Sequence, residues 1–409
     1  MNLKSIKSVK NLKGKTVMLR VAYDVPLKKQ GKGWAVADDR RIAETLPTIK
    51  YLLQQHCKIV ILSWLKRPGG EVVDKYRLDP VAKNLGILLK KPVKKLDDCV
   101  GPKVYQEIKN LKNGEILMLE NVRFYPEEEA ANKMFGALLV HGIDLIVFDA
   151  FAQAHRIHSS TTVITKLLPT YSGFLLEKEL KALGQINKSP KRPLVVILGG
   201  AKISDKIDVL QELLKIADKV LIGGGMANVF MKASGIAVGS SFLEDIFVDK
   251  AKRKKVNTIK LARKLLKKYR TKIVLPVDFV AANKIDQNAL VEVVDLEECQ
   301  HINSRWKFLD IGPKSVANFM VEIKAAKTIF WNGPMGVFEI EKFAFGTKKI
   351  AQAVGRSKAI SVVGGGDTEA VIGKYKLEKK ISHVSTGGGA SLEFLSGRTL
   401  PALKNVIKK

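Results

Sequence analysis

The 409-residue chain lacks the usual sequence fingerprints of nucleotide-binding proteins. It contains neither G-x-x-x-x-G-K-[ST] nor G-x-G-x-x-G, which disfavours common P-loop enzymes and dinucleotide-binding folds. Its three cysteines, Cys57, Cys99 and Cys299, form no C-x-x-C and no metal-ligand pattern, so we interpret them as core residues in a reducing compartment. The N-terminus lacks the apolar region of a signal peptide, and no apolar stretch is long enough to span a bilayer. We therefore expect a cytoplasmic protein with no membrane partner.

Acidic residues are few relative to basic ones. The chain has 70 Lys+Arg against 40 Asp+Glu, a formal net charge of +30. Much of the excess lies in amphipathic stretches such as residues 250–255 and 263–268, which are typical of solvated helix faces. Nucleic-acid binding is the alternative, but interleaved aromatics, a zinc signature and an RRM motif are all absent. We expect no nucleic-acid partner.

Short apolar runs alternate with helical patterns along the chain. This alternation predicts an α/β fold with parallel sheets flanked by helices. A strong helix former at residues 176–183 precedes a polar, proline-containing segment at 187–193, which predicts a hinge helix and linker between two lobes. Helices are also expected at 41–55 and 104–111. Strands are expected at 16–21, 59–63, 116–119, 145–148, 194–198, 220–222, 273–276, 328–331 and 360–363.

Glycine-rich loops follow four short runs in the second half of the chain. Glycine at the carboxyl end of a strand lets backbone approach a ligand, and ligands of open α/β sheets bind at that edge. A helix that starts there offers free N–H groups to phosphate. Tight strand-to-helix turns would explain any one loop, but four loops, one with two lysines and another with Asp-Thr, favour a nucleotide or polyphosphate site. The loops are Gly199-Gly200, Gly223–Gly225, Gly364–Gly366 and Gly387–Gly389.

These loops resemble those of phosphoglycerate kinases, and the resemblance extends over essentially the whole chain in order. It implies two Rossmann-like lobes. Residues 1–175 would bind the phosphoglycerate acceptor, 176–193 would form the hinge helix and linker, 194–395 would bind nucleotide, and 396–409 would return to the first lobe. The motifs that carry the resemblance are residues 39–42, 120–124, 154–156, 199–206, 223–227, 331–339, 364–368 and 385–392.

The resemblance implies an activity. The enzyme would move a phosphoryl group between 1,3-bisphosphoglycerate and ADP, giving 3-phosphoglycerate and ATP. It would use Mg²⁺ with the nucleotide, act as a monomer, and close about its hinge. Such chemistry requires in-line positioning, cations on the moving oxygens and exclusion of water rather than covalent help.

The resemblance also implies residue roles in the nucleotide lobe. Lys206 would contact nucleotide phosphate and Lys202 would steady the transferred group; if the turn after Gly200 starts a helix, both lie on one face. Asp367 would hold Mg²⁺, and Glu339 would bind the ribose. The full expected nucleotide set is Gly200, Ala201, Lys202, Lys206, Gly223, Gly224, Gly225, Asn332, Pro334, Gly336, Val337, Glu339, Gly364, Gly365, Gly366, Asp367 and Thr368.

In the first lobe, a basic patch matches the family's acceptor site. Arginine forks suit phosphate and carboxylate groups. Arg41 would bridge to the transferred phosphoryl group, and with Lys202, Lys206 and Gly364–Gly366 it completes the expected catalytic set. The expected acceptor-binding residues are Arg20, Asp24, Arg41, Trp64, Arg67, Arg123 and Arg156.

The acceptor site departs from the family pattern. The family's Arg-Val-Asp-Phe-Asn-Val-Pro has Ala22 for its aspartate here and Asp24 for its asparagine. In the family's Ser-His-Leu-Gly-Arg-Pro, Trp64 replaces the histidine and Lys66 the glycine. The family's Asn-Asp-Ala-Phe-Gly-Thr-Ala-His-Arg is changed at three positions, Phe148, Ala152 and Gln153.

Three explanations of these changes are open. In the first, the contacts are rebuilt: positions 22 and 24 point the same way if that strand is regular, so Asp24 accepts the substrate hydroxyl, while the Trp64 N–H donates. In the second, the acceptor is a different phosphorylated acid or the activity is weak. In the third, the chain is a non-catalytic nucleotide-binding protein. The retained arginines favour the first, and the retained Lys202, Lys206 and Asp367 disfavour the third.

Overall fold

The computed structural model describes residues 2–31, 33–249, 254–296 and 303–408, which form two compact units. The first unit contains the residues up to Lys181 together with those from Thr399 onward, and the second is Ala182–Arg398. Among the described residues, no helix is both long and apolar enough to cross a membrane. Cys57 and Cys99 are buried thiols, whereas Cys299 and residues 250–253 of the basic stretch lie outside the described residues.

The first unit is built on a six-stranded parallel sheet with the order β5-β6-β4-β1-β7-β8. The strands β2 and β3 form a separate antiparallel hairpin. The strands are β1 (Thr16–Val21), β2 (Leu27–Gln30), β3 (Gly33–Val36), β4 (Lys58–Leu62), β5 (Lys94–Lys95), β6 (Ile116–Met118), β7 (Leu145–Asp149) and β8 (Thr170–Ser172). The helices are α1 (Arg40–Ala43), α2 (Leu46–Gln54), α3 (Asp79–Leu89), α4 (Pro102–Asn110), α5 (Pro126–Glu129), α6 (Lys133–Leu139), α7 (Ile164–Leu167) and α8 (Phe174–Lys188), and the division between the units falls within α8.

The central strand β1 shows why this sheet is covered on both faces. All six of its residues are buried. Val17 and Leu19 pack into one apolar core with residues of α2 and α3, while Met18 packs into a second core with residues of α4 and α6. Side chains alternate along a strand, so a strand buried along its whole length, here apolar except for Thr16 and Arg20, packs on both faces, as is typical of a parallel sheet.

The second unit repeats this architecture with a parallel sheet of order β13-β10-β9-β17-β18-β19. A hairpin, β11-β12, and a three-stranded antiparallel sheet, β15-β14-β16, are added to it. The strands are β9 (Leu194–Leu198), β10 (Lys219–Ile222), β11 (Ile246–Asp249), β12 (Lys254–Asn257), β13 (Ile273–Val274), β14 (Asp278–Ala282), β15 (Val291–Asp295), β16 (Lys307–Ile311), β17 (Thr328–Asn332), β18 (Ile360–Gly364) and β19 (His383–Ser385). The helices are α9 (Ile207–Ile216), α10 (Gly224–Ala233), α11 (Thr258–Lys268), α12 (Pro313–Ala325), α13 (Phe345–Arg356), α14 (Gly366–Lys374) and α15 (Gly389–Leu395).

The expected α/β class with two helix-flanked parallel sheets is confirmed. The differences are the added antiparallel strands and the bounds of several elements. The helix expected at 41–55 is divided into α1 and α2. The strand expected at 273–276 has only two residues. The helix α8 continues to Lys188, so the expected linker begins later than residue 187. The hinge role of this segment stays a prediction.

The final segment belongs to the first unit. The Ala402 N–H donates to the Ala154 carbonyl at 3.1 Å, and the Lys4 N–H donates to the Val406 carbonyl at 2.8 Å. The residues from Thr399 onward thus pack on the unit that contains the arginines predicted to bind the acceptor, whereas residues 396–398 lie in the second unit.

Candidate active site

In the second unit, the loops after β9, β10 and β17 are joined by backbone hydrogen bonds. The Gly200 N–H donates to the Pro334 carbonyl at 2.8 Å, and the Gly224 N–H donates to the Met335 carbonyl at 2.9 Å. Gly224 has a φ of +63°, and a Cβ there would lie 2.5 Å from the Gly200 nitrogen. Only glycine meets both constraints, so this residue lets the loops approach one another.

Lys206 lies where the β9 and β17 loops meet. Its ammonium donates to the carbonyls of Gly199 at 2.5 Å and of Asn332 at 3.2 Å. Burial lowers the pKa of Lys206 from 10.5 to about 8, while the nearby carboxylates of Asp367 and Asp205 act in the opposite direction. Carbonyl oxygens alone compensate an ammonium weakly, so this charge is poised to accept an anion.

The expectation that Lys202 and Lys206 share one helical face is wrong. The helix α9 begins only at Ile207, and Lys206 is its N-cap. The intervening residues form turns, and Lys202 is exposed whereas Lys206 is half-buried. Sequence spacing could not reveal this, because it depends on where the first helical turn begins.

Asn332 and Thr368 join the β17 loop to the β18 loop. The buried Asn332 amide donates to the Gly364 carbonyl at 2.6 Å, and the Thr368 hydroxyl accepts from the Gly333 N–H at 2.6 Å. Gly365, with a φ of +98°, turns the chain directly into α14. These side chains therefore hold the loop that presents the N-terminus of α14.

Asp367 occupies the first turn of α14 and is exposed. No group of three or more His, Cys, Asp or Glu side chains able to hold a metal occurs among the described residues. Mg²⁺ is bound in many phosphate sites by one or two carboxylates together with substrate phosphates and water. A single exposed carboxylate beside Lys206 fits that mode of binding and not a preformed protein cage.

A pocket of about 570 Å³ opens next to these loops. Nine of the predicted nucleotide residues line it: Gly200, Ala201, Gly224, Gly225, Pro334, Gly336, Val337, Glu339 and Asp367. The remaining predicted nucleotide residues are not among the residues lining it. They are Lys202, Lys206, Gly223, Asn332, Gly364, Gly365, Gly366 and Thr368.

Sequence reasoning missed the other side of this pocket. The antiparallel strands β14 and β16 supply Phe279 and Phe308, whose rings stack at 4.2 Å between centroids. Asp310 also lines the pocket; its carboxylate accepts the N–H groups of Ile311 at 2.9 Å and Gly346 at 2.6 Å, and burial raises its pKa to about 8. A signal existed in residues 308–311, where Asp310 interrupts three apolar residues directly before Gly-Pro. The further lining residues missed were Asn228, Ser240, Phe242, Ile285, Lys307, Leu309 and Met335.

In the first unit, Trp64 lies between two of the predicted acceptor arginines. The guanidinium of Arg20 is 4.4 Å from the indole centroid and that of Arg123 is 4.2 Å from it. The indole is 2% exposed. Cation–π contacts of this kind are strongest where water is excluded, so Trp64 fixes both arginines from within the protein.

Arg20 is fully buried. Its Nε donates to the Ser160 carbonyl at 3.0 Å, and its Nη1 donates to the Val21 carbonyl. Its Nη2 has no hydrogen-bond partner among the residues that the structure describes. Burial lowers the pKa of Arg20 to about 9, against the opposing charge of Glu128. Most of this guanidinium is therefore committed to internal contacts.

Asp24 lies beyond the regular strand, so the assumption that 22 and 24 share a strand face fails. The strand β1 ends at Val21, and Ala22 is 6% exposed. The Asp24 carboxylate accepts the Lys66 N–H at 3.1 Å and lies 3.4 Å from the Lys66 ammonium. Arg41 donates to the Asp24 carbonyl at 3.0 Å. Asp24 thus lies among these basic groups through its contacts with Lys66 and Arg41, and not through a strand face shared with position 22.

The remaining acceptor-site residues differ in accessibility. Arg67 and Arg156 are exposed. Arg123 is 6% exposed, donates to the Lys66 carbonyl at 2.7 Å and pairs with Glu129 at 3.1 Å. Of the substituted positions in the 148–156 segment, Phe148 is a fully buried core residue of β7. Gln153 is buried, and neither of its amide atoms is hydrogen-bonded to any described part of the chain.

Known proteins are similar to this chain over nearly its whole length. A family model described as phosphoglycerate kinase matches residues 6–398. The phosphoglycerate kinase of Rubrobacter xylanophilus is 46% identical over 403 residues, 98% of each chain. The chloroplastic phosphoglycerate kinase of Volvox carteri is 46% identical over 403 residues, 98% of this chain and 84% of that protein.

Solved structures give the same result. A phosphoglycerate kinase structure from Coxiella burnetii matches with a TM-score of 0.84 at 36% identity and covers 99% of this chain and 98% of its own. The crystal structure of the Pyrococcus horikoshii phosphoglycerate kinase matches with a TM-score of 0.83 at 36% identity and covers 98% of both chains.

Proposed function

Since this chain belongs to the phosphoglycerate kinase family, it is a phosphotransferase of phosphoglycerate, and we propose which of its residues carry out the transfer. The reaction moves a phosphoryl group between 1,3-bisphosphoglycerate and ADP, giving 3-phosphoglycerate and ATP. The observation that carries the proposal is the joining of the glycine loops around Lys206, beside Asp367 and the N-terminus of α14.

In the nucleotide half, the chain's own groups neutralise and orient phosphate. Lys206 binds a phosphate oxygen, and Lys202 stabilises the phosphoryl group during its transfer. The N–H groups of Gly364–Gly366 point to phosphate at a helix N-terminus. Asp367 would hold Mg²⁺, which supplies charge neutralisation to the polyphosphate when bound. Glu339 accepts from the ribose, and Gly223–Gly225 allow the adenine to approach the backbone.

In the acceptor half, arginines bind the anionic groups of 3-phosphoglycerate. Arg67 and Arg156 are exposed and reach the ligand directly, while Arg123 is held by Trp64 and by the Lys66 carbonyl. Arg41 bridges to the transferred phosphoryl group. Asp24 accepts the substrate hydroxyl in place of the aspartate that the family has at position 22.

Trapping the product tests the proposal. Transfer to a carboxyl group produces an acyl phosphate, which hydroxylamine converts to a hydroxamate. We expect hydroxamate only when MgATP and 3-phosphoglycerate are both present. Hydroxamate with another phosphorylated acid, and none with 3-phosphoglycerate, would favour the second candidate, a kinase of the same fold with a changed acceptor. The ion pair between Asp24 and Lys66 is the observation that keeps this candidate open.

We further propose that the enzyme acts as a monomer in the cytoplasm. Its two described cysteines are reduced and buried, which suits a reducing compartment. Light scattering coupled to size-exclusion chromatography should give a mass near 45.2 kDa; a mass twice that value would contradict the monomer.

The lowered pKa of Lys206 predicts a pH-dependent nucleotide affinity. Above a pH of about 8 the free enzyme loses the ammonium, so the Kd for MgADP should rise about tenfold between pH 7 and pH 9. The lowered pKa has the opposite effect on stability. Between pH values of about 8 and 10.5 the folded form binds fewer protons than the unfolded chain. The contribution of Lys206 to the free energy of unfolding therefore increases with pH in that range.

Calorimetric titration of MgADP at several pH values measures this effect, and Lys206→Arg is the control. Because arginine stays charged over this pH range, the Kd of Lys206→Arg for MgADP should not change with pH. A pH dependence that persists in Lys206→Arg would belong to another pocket group such as Asp310, whose pKa is also about 8. A flat wild-type profile would contradict the prediction.

Closure of the two units is predicted when both substrates bind. In-line transfer requires the donor and acceptor oxygens within about 3–3.5 Å, and the two sets of binding residues lie in different units. We place the movement at residues 176–193 and near Ser391-Leu392. Small-angle X-ray scattering should show a smaller radius of gyration with both ligands than with either alone. An unchanged profile at proven double occupancy would contradict closure.

A further inference from the structure

Lys66 has a backbone conformation that lysine rarely adopts. Its φ is +60°, in the left-handed region. The phosphoglycerate kinase pattern has glycine at this position, which adopts that conformation without cost, whereas an L side chain there is strained. Lys90 and Lys376 also have a positive φ, so a function of Lys66 has to be inferred from its contacts.

Three groups of Lys66 contact acceptor-site residues. Its N–H donates to the Asp24 carboxylate at 3.1 Å, and its ammonium lies 3.4 Å from the same carboxylate oxygen. Its carbonyl accepts from Arg123 at 2.7 Å. The Lys66 side chain is 38% exposed and that of Asp24 is 31% exposed, so an arriving anion can reach the ammonium.

One substitution, Trp64, and the burial of Arg20 limit the number of donors at this site. Trp64 replaces an imidazole with an indole that lies buried between Arg20 and Arg123. Arg20 is fully buried and bonded mainly to internal carbonyls. Lys66 adds a partly exposed cation to this site.

We propose that Lys66 is a direct ligand of an anionic group of the acceptor, a role that rests on the proposed function. In the free enzyme the ammonium pairs with Asp24. When the acceptor binds, the ammonium moves to the anion, and Asp24, still held by the Lys66 N–H, is left to accept the hydroxyl. An exposed ion pair is weak, so the exchange costs little.

The test separates the charge of Lys66 from its backbone strain. Lys66→Ala removes the ammonium and keeps the strain, Lys66→Gly removes both, and Lys66→Arg keeps the charge. Calorimetric titration with 3-phosphoglycerate alone should give a Kd about tenfold higher for the Ala and Gly variants, as expected for the loss of one charge-assisted hydrogen bond. Lys66→Arg should retain most of the affinity.

Thermal unfolding supplies the independent readout. Lys66→Gly should unfold about 2–4 °C above Lys66→Ala because glycine relieves the strain, although the two bind equally weakly. Lys90, an exposed lysine at the C-cap of α3 with a φ of 52°, is the matched control: Lys90→Gly should also unfold above Lys90→Ala, with no change in Kd.

A second comparison distinguishes a ligand from a residue that only positions Asp24. In an Asp24→Asn background, Lys66→Ala should still weaken 3-phosphoglycerate binding. No further weakening there, or a Kd that follows the unfolding temperature instead of the charge, would overturn the proposal. Absence of hydroxamate from the wild type would instead count against the proposed function, because these binding measurements do not require turnover.

Discussion

Replacing Lys206 or Asp367 with alanine is expected to lower turnover by about 10²–10³-fold, the usual cost of removing one preorganised electrostatic group from a transition state. Lys206 already carries a charge that burial disfavours, with two carbonyls as its nearest acceptors. Phosphate is the group that would compensate it best. Replacing Asp367 would remove the one carboxylate that we assign to Mg²⁺.

Steady-state kinetics at saturating substrates measure this loss. Lys215→Ala is the matched control for Lys206, since Lys215 lies on α9 nearby in sequence and pairs with Glu212 at 2.6 Å on the surface; its kcat should equal that of the wild type. Asp367→Asn should behave like Asp367→Ala, because the charge and not the shape is required. Wild-type kinetics for either Lys206→Ala or Asp367→Ala would contradict the nucleotide-site assignment.

The second large effect is expected at the acceptor site. The double variant Ala22→Asp, Asp24→Asn restores the family pattern and should lower the KM for 3-phosphoglycerate by about tenfold, the lower end of the value of a hydrogen bond to a charged partner. The gain is not larger because Asp24, which also accepts the Lys66 N–H, already replaces the family's aspartate in part. The arginines that capture the ligand are unchanged, so kcat should change less than KM.

The single Ala22→Asp variant is the control for this effect. Position 22 is 6% exposed, and a carboxylate added there beside Asp24 would meet a like charge in a partly dry environment. The single variant should therefore gain less than the double variant. If the double variant binds 3-phosphoglycerate no better than wild type, Ala22 is not the cause of weak binding.

Sequence patterns predicted the parallel sheets well because a buried parallel strand is a continuous apolar run. Residues 16–21 and 194–198 were expected as strands and are β1 and β9. Glycines at strand ends then located the loops, because close backbone approach needs glycine. Both signals are local, and each can be detected within a few residues.

The predictions that failed depend on contacts between residues distant in sequence or on where an element begins or ends. A shared face for Lys202 and Lys206 required a helix that begins before Lys202, but α9 begins only at Ile207. A shared face for positions 22 and 24 required β1 to continue to residue 24, but the strand ends at Val21. The aromatic side of the pocket comes from β14 and β16, which are antiparallel and were not foreseen. No local pattern reports that Trp64 lies between Arg20 and Arg123.

A saturation curve of 3-phosphoglycerate at fixed saturating MgATP tests the central claim most directly. The retained arginines and the complete nucleotide half predict hyperbolic saturation, with a KM above that of relatives carrying the usual acceptor signature and shifted downward in the double variant. Absence of turnover at saturating 3-phosphoglycerate, while another phosphorylated acid reacts well under the same conditions, would contradict the assigned acceptor.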